Sequence, residues 1–205
     1  MSKLIVTPVG KAVYPHLQNP DTRFNDNGLY QCRLHVDEAD FNEFSAQVKE
    51  IYDKDYKVEC AKKGTKVPFA TSSHPLRVTD EGNFEIYAKQ DALKQTKTKG
   101  LLQFRVAACN ATGAKIQMPP VGSGSKLKMA VEPHTWNVTS QGGFGITLRL
   151  RSVQIIDLKE FSVSQNDTPF TSVDGYDGGE AFTNELTNDE TPQVSKEAND
   201  DAFSF

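Results

Sequence analysis

The clearest alternation of apolar and basic side chains lies between residues 122 and 158. A period of two indicates β-strands with one buried face and one exposed face. Pro133 cannot donate to a strand ladder and indicates a sheet edge or bulge, while residues 140–143 indicate a reversal. This segment therefore predicts a hairpin with one apolar and one basic face. Its inward residues would be Leu127, Met129, Val131, Ile146, Leu148 and Leu150, and its basic residues Lys126, Lys128, Arg149 and Arg151.

Four further segments alternate with the same period and predict the remaining strands. The first, residues 4–13, contains Pro8 and Gly10, so we expect it to bend at a bulge. The other three span residues 30–36, 83–89 and 101–109. Their inward side chains would be Tyr30, Cys32, Leu34, Val36, Phe84, Ile86, Ala88, Leu102, Phe104, Val106 and Ala108. Their outward side chains would include Gln31, Arg33, His35, Glu85, Tyr87, Lys89 and Arg105.

One long helix is predicted over residues 38–62. Asp37 is a favourable N-cap, and the apolar side chains that follow are spaced by three, four and seven residues. These apolar positions are Phe41, Phe44, Val48, Ile51, Tyr52 and Tyr56. The segments 14–28, 63–80, 90–100 and 110–125 are rich in turn-forming or polar residues and are predicted to be connections.

Short alternating strands with a single helix predict a mainly β protein, built as a small barrel or sandwich. The apolar periodicity stops after Phe161, and a mean hydropathy of -0.52 is low for a fully packed chain of 205 residues. We therefore expect a folded domain over residues 1–161 and a disordered acidic tail over residues 162–205. The tail ends in acidic residues followed by aromatics, which suggests a docking element for a partner. Its candidate residues are Asp200, Asp201, Phe203 and Phe205.

Charge is strongly segregated along the chain. Residues 1–160 carry 22 lysines and arginines against 17 acidic residues, whereas residues 161–205 carry 1 against 10. The overall net charge of -4 therefore hides a basic body and an acidic tail. Residues 86–159 alone carry 11 basic and 3 acidic side chains, which favours a polyanionic partner.

Several other classes receive no support from the sequence. Cys32, Cys60 and Cys109 are odd in number and widely spaced, which favours reduced thiols over disulfides or a zinc site. The four histidines show no metal-ligand spacing, so neither a metal nor a cofactor is expected. No apolar run approaches the roughly 20 residues that span a bilayer, and the N-terminal segment lacks a signal-peptide core. We therefore expect a cytoplasmic protein.

Binding of single-stranded nucleic acid requires cations along a groove and aromatic faces for stacking. The outward basic residues of the strands supply the cations, and Tyr87 supplies an outward aromatic ring. Trp136 could be a stacking platform or part of the core, and His134 could stack or cap a turn. The complete candidate set is Arg33, Tyr87, Lys89, Arg105, Lys126, Lys128, His134, Trp136, Arg149 and Arg151.

A resemblance to a known family rests on three parts of the sequence. They are the segments GSGSKLKMAVEPHTWN and GITLRLRSVQIIDL and the acidic end that closes on Phe205. The chain resembles the replication-type single-stranded DNA-binding proteins of lytic tailed bacteriophages over most of residues 28–161. The resemblance implies an OB-fold, a five-stranded β-barrel that grips single strands on one sheet face, with its helix after the second strand. It also implies that the tail contacts the phage DNA polymerase and helicase-primase and competes with DNA for the basic cleft.

Carried over by position, Tyr87 matches an aromatic residue of the family, and Lys126 and Lys128 match its basic strand. His134 stands where the family has a tyrosine, which weakens the expectation of stacking there. Asn27 stands where the family has a basic residue before the second strand.

The sequence therefore predicts a non-enzymatic protein that coats single-stranded DNA, without strong sequence preference, in the cytoplasm of the phage host. Its tail would recruit replication or recombination proteins, and a homodimer is among the assemblies considered. An alternative from another class is an assembly module that acts through its tail without binding DNA. A small nuclease would need clustered carboxylates, and Asp91, Glu132 and Asp157 are the only acids in the basic half.

Overall fold

The computed structural model describes residues 4–23, 25–70, 74–96, 100–138 and 142–160. The strands are β1 (Ile5–Val6), β2 (Gly10–Asp21), β3 (Leu29–Val36), β4 (Leu76–Val78), β5 (Phe84–Asp91), β6 (Leu93–Thr96), β7 (Gly100–Gln103), β8 (Ala107–Cys109), β9 (Lys115–Ile116), β10 (Lys126–Val138) and β11 (Gly143–Asp157). The helix α1 (Glu38–Lys63) lies between β3 and β4.

Five long strands close a barrel. Strand β10 pairs with β2, β2 with β3, and β3 with β5, all antiparallel. Strand β5 pairs with β11 in parallel, and β11 returns to β10 antiparallel, which completes the ring. The predicted fold class, a five-stranded barrel of mainly β structure with one long helix, is confirmed. The helix follows the second barrel strand, as predicted.

Period-two alternation places the apolar side chains of the barrel strands inside the ring. Leu34, Ile86, Leu127, Leu148 and Leu150 are fully buried there. Burial of each such side chain stabilises the fold by roughly 1.5 to 3 kcal/mol. The same alternation turns the basic residues of β10 and β11 outward, so the predicted two-faced hairpin is confirmed. Pro133 pairs opposite Leu148, two residues beyond a register shift at Ala130 and Val131.

The helix has the predicted start and ends one residue later than predicted. Its buried side chains are Phe41, Phe44 and Val48, and Gly64 ends it in the left-handed conformation at a φ of 66°. Asp37 occupies the N-cap position, but its side chain forms no capping hydrogen bond. The Asp37 carbonyl oxygen accepts the first hydrogen bond of the helix, from the Phe41 N–H at 2.9 Å.

The N-terminal region differs from the prediction. Residues 4–13 form two strands instead of one, and residues 14–21, predicted as a loop, continue β2 as far as the pairing of Asp21 with Leu29. Two register shifts allow this, one on each side of His16, and Tyr14 lies in the first at a φ of 46°. Bulges absorb prolines that would interrupt a regular ladder, which is why composition suggested a loop.

The predicted basic loop at residues 90–100 is also wrong. Strand β5 extends to Asp91, and β6 and β7 then pair as a separate hairpin. The predicted strand 101–109 is broken between β7 and β8, where the Phe104 N–H donates to the Ala92 carbonyl at 2.8 Å. Val106 and Ala108 enter the core as predicted, whereas Leu102 and Phe104 do not.

Two smaller corrections concern the strand β5. Strand β4 lies within the predicted connection 63–80 and pairs antiparallel with β5. Glu85, predicted to face solvent, is only 3% exposed because the surrounding basic side chains cover it. The predicted connection 110–125 contains the short strand β9, which pairs with β8.

In the part of the chain described above, no helix is long and apolar enough to span a membrane. The predicted division at residue 161 and the tail residues Asp200, Asp201, Phe203 and Phe205 lie at or beyond the end of the described residues. They stay predictions.

Candidate nucleic-acid interface

The barrel strands bring basic side chains together on the outer face of the sheet. Arg149 of β11 lies opposite Lys89 of β5 in the parallel pairing, and opposite Glu132 of β10 on its other side. His134 lies opposite Thr147 in the next outward pair of the β10–β11 ladder. Residues far apart in the sequence therefore share one surface.

A cleft of about 260 Å³, which we call the basic cleft, opens on this surface. Its walls are the outer faces of β5, β10 and β11, together with residues from β6 and from the break before β8. Its cationic or titratable lining residues are Lys89, Lys94, His134, Arg149 and Arg151. Its other lining residues are Gln90, Asp91, Phe104 and Thr147.

Arg151 is held in place by neighbouring side chains. It is the extra residue of a bulge, because Val131 pairs with Leu150 while Ala130 pairs with Ser152. Its Nε donates to Glu132 Oε2 at 2.8 Å, its Nη2 also contacts that oxygen, and its Nη1 donates to Gln90 at 3.3 Å. The charge of Arg151 is therefore largely balanced by Glu132.

The other cations of the basic cleft are not balanced in this way. Among the residues that the structure describes, none forms a hydrogen bond or ion pair with the side chains of Lys89, Lys94 or Arg149. Lys89 and Lys94 are exposed, and Arg149 is half-buried. Three unpaired cations outnumber the one further carboxylate of the cleft, that of Asp91, and this excess favours an anionic ligand.

His134 reports the positive character of the cleft. Burial lowers the pKa of His134, and the nearby charges of Arg149, Lys94 and Arg151 lower it further, while Glu132 opposes them. The neutral imidazole is therefore favoured in the free protein. An anion placed in the basic cleft would reverse part of this effect.

A second arrangement lies beside the cleft, on β3 and β5. The Arg33 guanidinium lies over the Tyr87 ring, with 4.5 Å between Cζ and the ring centroid. Arg33 also donates to Glu85 at 2.7 Å, and the Tyr87 hydroxyl donates to Gln31 at 2.7 Å. Burial raises the pKa of Tyr87, although Arg33 opposes this. One face of the Tyr87 ring is thus covered by a cation, which is itself a planar stacking surface.

Comparison with known proteins identifies the family of this chain. Residues 9–158 match the family described as single-stranded DNA-binding protein, bacteriophage T7. The chain belongs to this family. The resemblance found in the sequence is thereby confirmed, as is the expectation that the protein is not an enzyme.

Individual relatives agree with the family assignment. The chain is 28% identical over 161 residues to the single-stranded DNA-binding protein of Enterobacteria phage T3. The alignment covers 73% of this chain and 65% of that protein. The chain thus spans just under two thirds of the length of that relative.

Two solved structures share the fold. One is the crystal structure of gp2.5, a single-stranded DNA-binding protein encoded by bacteriophage T7, with a TM-score of 0.68 and 20% identity over 87% of this chain and 100% of that chain. The other is the single-stranded DNA-binding protein of bacteriophage Enc34 in complex with ssDNA, with a TM-score of 0.52 and 16% identity over 77% of this chain and 88% of that chain.

In this member of the T7-type family, Trp136 lies outside the barrel core. Its Nε1 donates to Thr147 at 3.0 Å, and its ring lies directly over Gly145, where an added Cβ would be 2.4 Å from Cζ2 of the ring. The ring is half-buried and borders a separate groove that it shares with Asp55 and Glu59 of α1. The interface candidate Trp136 is therefore next to the basic cleft without lining it.

Three other predicted residues lie away from the cleft. Lys126 and Lys128 are at the start of β10, six and more residues before His134, which separates them by about 20 Å along a strand. Arg105 is exposed after the strand break and borders a different concavity, with Asp26 and Met118. The structure therefore gathers Lys89, His134, Arg149 and Arg151, with Arg33 and Tyr87 beside them.

The sequence pattern does not predict the other lining residues of the cleft, and two of them carry its chemistry further. The pattern predicts Lys94 in a basic loop and Phe104 in the core. The signal for Lys94 was present, since it belongs to the lysine-rich segment 94–99. The position of Phe104 could not be predicted from the local sequence. The strand is broken at this point, and the Phe104 N–H bonds to the Ala92 carbonyl instead of to a neighbouring strand.

Metal chemistry has no site in the ranges described. No group of three or more His, Cys, Asp or Glu side chains there could hold a metal ion. All three cysteines are free thiols, and burial raises the pKa of Cys32 to about 12.

Proposed function

We propose that this protein binds single-stranded DNA, without strong sequence preference, across the outer face of β3, β5, β10 and β11. The observation that carries the proposal is the group of unpaired cations Lys89, Lys94 and Arg149 next to Tyr87 and Arg33. Cations replace phosphate counterions and planar groups stack on bases, and neither contact depends on base identity. Membership of a family named for single-stranded DNA binding supports the same conclusion.

The remaining candidates extend this surface. Lys126 and Lys128 would continue the phosphate contacts along β10, and Trp136 and His134 would lie at the edge of the strand path. Arg105 would contact DNA only where the strand leaves the main face. The basic cleft would then be the central part of a longer path.

We also propose that the acidic tail, with Asp200, Asp201, Phe203 and Phe205, binds replication proteins and competes with DNA for the basic face. The family resemblance implies the phage DNA polymerase and helicase-primase as the partners of the tail, in the cytoplasm of the phage host. A homodimer is one of the assemblies considered. Opposite charges of body and tail support the competition. An assembly module that acts only through its tail remains the second candidate, supported by the same aromatic terminus.

Fluorescence anisotropy of labelled oligo-dT and of matching duplex tests the binding at several salt concentrations. We expect tighter binding of the single strand, with an affinity that falls as salt rises. Lys89→Gln should reduce the slope of log affinity against log salt by about 0.7, since one phosphate contact is lost.

Lys57→Gln is the matched control, because Lys57 is an exposed lysine on α1. Its slope should equal that of the wild type. If both variants have the same slope, the basic cleft does not contact the DNA. If the wild type binds no DNA at all, the assembly module that acts through its tail is the candidate that is left.

A further inference from the structure

The ring of Phe104 lies outside the hydrophobic core of the barrel. It belongs neither to the buried core nor to the partly buried apolar side chains that pack against that core. Nor does it form a ring contact with another aromatic residue of the described chain. A single half-exposed apolar ring is common at a protein surface, so the meaning of this one depends on what surrounds it.

The surroundings of this ring define the ligand. Phe104 is half-buried in the wall of the basic cleft, together with the unpaired cations Lys89, Lys94 and Arg149. A planar apolar surface next to three cations matches a group that combines a flat ring with a negative charge. A nucleotide has this combination, with its base for the ring and its phosphates for the cations.

The position of Phe104 is fixed by the backbone. Its N–H donates to the Ala92 carbonyl at 2.8 Å, which ties the end of the β6–β7 hairpin to the end of β5. The hairpin thereby holds Lys94 and Phe104 against the barrel face. The cleft is thus lined by two separate sheets.

We propose that the basic cleft holds one nucleotide of the bound strand, with its base stacked on Phe104 and its phosphates contacted by Lys89, Lys94 and Arg149. This inference rests on the proposed function and adds a stacking site that the alternating sequence pattern had placed in the core. The larger concavity near Arg105, about 540 Å³, has no comparable group of cations.

The test compares two ligands of equal charge, an oligo-dT strand and a strand of the same length whose sites are abasic. Phe104→Ala in the full chain should weaken binding of oligo-dT roughly 5- to 150-fold, the range for loss of one stacked base. It should leave binding of the abasic strand and the salt slope unchanged. Phe104→Tyr should restore binding of oligo-dT, and Lys94→Gln should weaken binding of both strands.

Phe69→Ala is the control, since Phe69 is an aromatic residue 54% exposed next to Tyr56 and away from the cleft. If Phe104→Ala behaves like this control while the wild type binds oligo-dT, the stacking site is overturned and the proposed function stands. Equal loss on both strands would also overturn it, since Phe104 would then only support the cleft. If the wild type binds neither strand, the proposed function itself fails.

A second measurement needs no variant. Ultraviolet crosslinking of an oligonucleotide that contains 5-iodouracil to the wild-type chain, followed by peptide mapping, should identify Phe104. Crosslinks found exclusively at other residues would overturn the proposal.

Discussion

At the scale of single residues, Glu85 is an acid buried on the outer face of the barrel. Arg33 and Arg77 each donate to its Oε1 at 2.7 Å, and His35 Nε2 is 3.6 Å from Oε2. Burial by itself would raise the pKa of Glu85, but the hydrogen bonds from Arg77 and Arg33 outweigh it and hold the pKa below 4.5. Glu85 thus positions the arginine that covers Tyr87.

Glu85→Gln should lower the free energy of unfolding at neutral pH by about 1.5 to 3 kcal/mol, the range for hydrogen bonds to a charged group. Because the folded-state pKa is lowered, this contribution is complete above the ordinary value of 4.5 and is lost as pH falls through the lowered value. Urea unfolding at several pH values measures it. The difference between variant and wild type should shrink in acid.

The control for this substitution is Glu43→Gln, because Glu43 is exposed on α1. A loss of stability equal to that of the control, or one that does not depend on pH, would contradict the assigned function of Glu85.

At the scale of elements, the segment after α1 is fastened to the start of β11. The Phe144 N–H donates to the Pro68 carbonyl and the Ala70 N–H to the Phe144 carbonyl, both at 2.8 Å. Gly143 permits this close approach, because an added Cβ would lie 2.1 Å from the Pro68 oxygen. Gly143 also has a φ of 137°, which residues with a side chain rarely adopt. The tyrosines of α1 complete the junction, where Tyr56 donates to the Val67 carbonyl at 2.7 Å.

Gly143→Ala should therefore destabilise the domain by backbone strain and by collision with Pro68. Gly113→Ala is the matched control, since Gly113 has a φ of 85° but an added Cβ there would have no atom within 4 Å. Strain alone should cost about 1 to 2 kcal/mol at Gly113, and the collision should add roughly 1 to 3 kcal/mol at Gly143. Thermal or urea unfolding compares them, and equal losses would show that the segment moves aside freely.

Elements were predictable where their signal is local. The helix was located from the spacing of Phe41, Phe44 and Val48, and the hairpin from alternation on both sides of residues 140–143. The extension of β2 and the β6–β7 hairpin were missed, because bulges and pairing partners elsewhere in the chain decide them. The cleft cations Lys89, Arg149 and Arg151 follow from alternation, whereas the positions of Lys94 and Phe104 depend on the β6–β7 hairpin and on tertiary structure.

At the scale of the whole molecule, the folded body and the acidic segment that follows it carry opposite charge. Residues 161–205 carry one basic and ten acidic side chains, and residues 86–159 carry eleven and three. A protein that ends at residue 161 should bind oligo-dT more tightly than the full chain at low salt, since an intramolecular competitor is removed. The difference should shrink at high salt, where charges are screened.

Anisotropy titrations of both proteins at two salt concentrations measure this effect. Substituting only Phe203 and Phe205 by alanine leaves the charge intact and serves as the control, so its DNA affinity should equal that of the full chain. Unchanged or weaker binding by the shortened protein would contradict the competition.

Closure of the barrel determines when the domain can fold. Lys11 of β2 pairs with Lys126 of β10. Strand β11 lies between β5 and β10 and pairs with both, so the barrel cannot close until β11 has been synthesised. A nascent chain that stops before residue 143 therefore has an open sheet with unpaired edges. Contacts between distant parts of a sequence form slowly, because a long loop must close first. The ribosome therefore releases nearly the whole domain before its core can be sealed, and folding is a late event in synthesis.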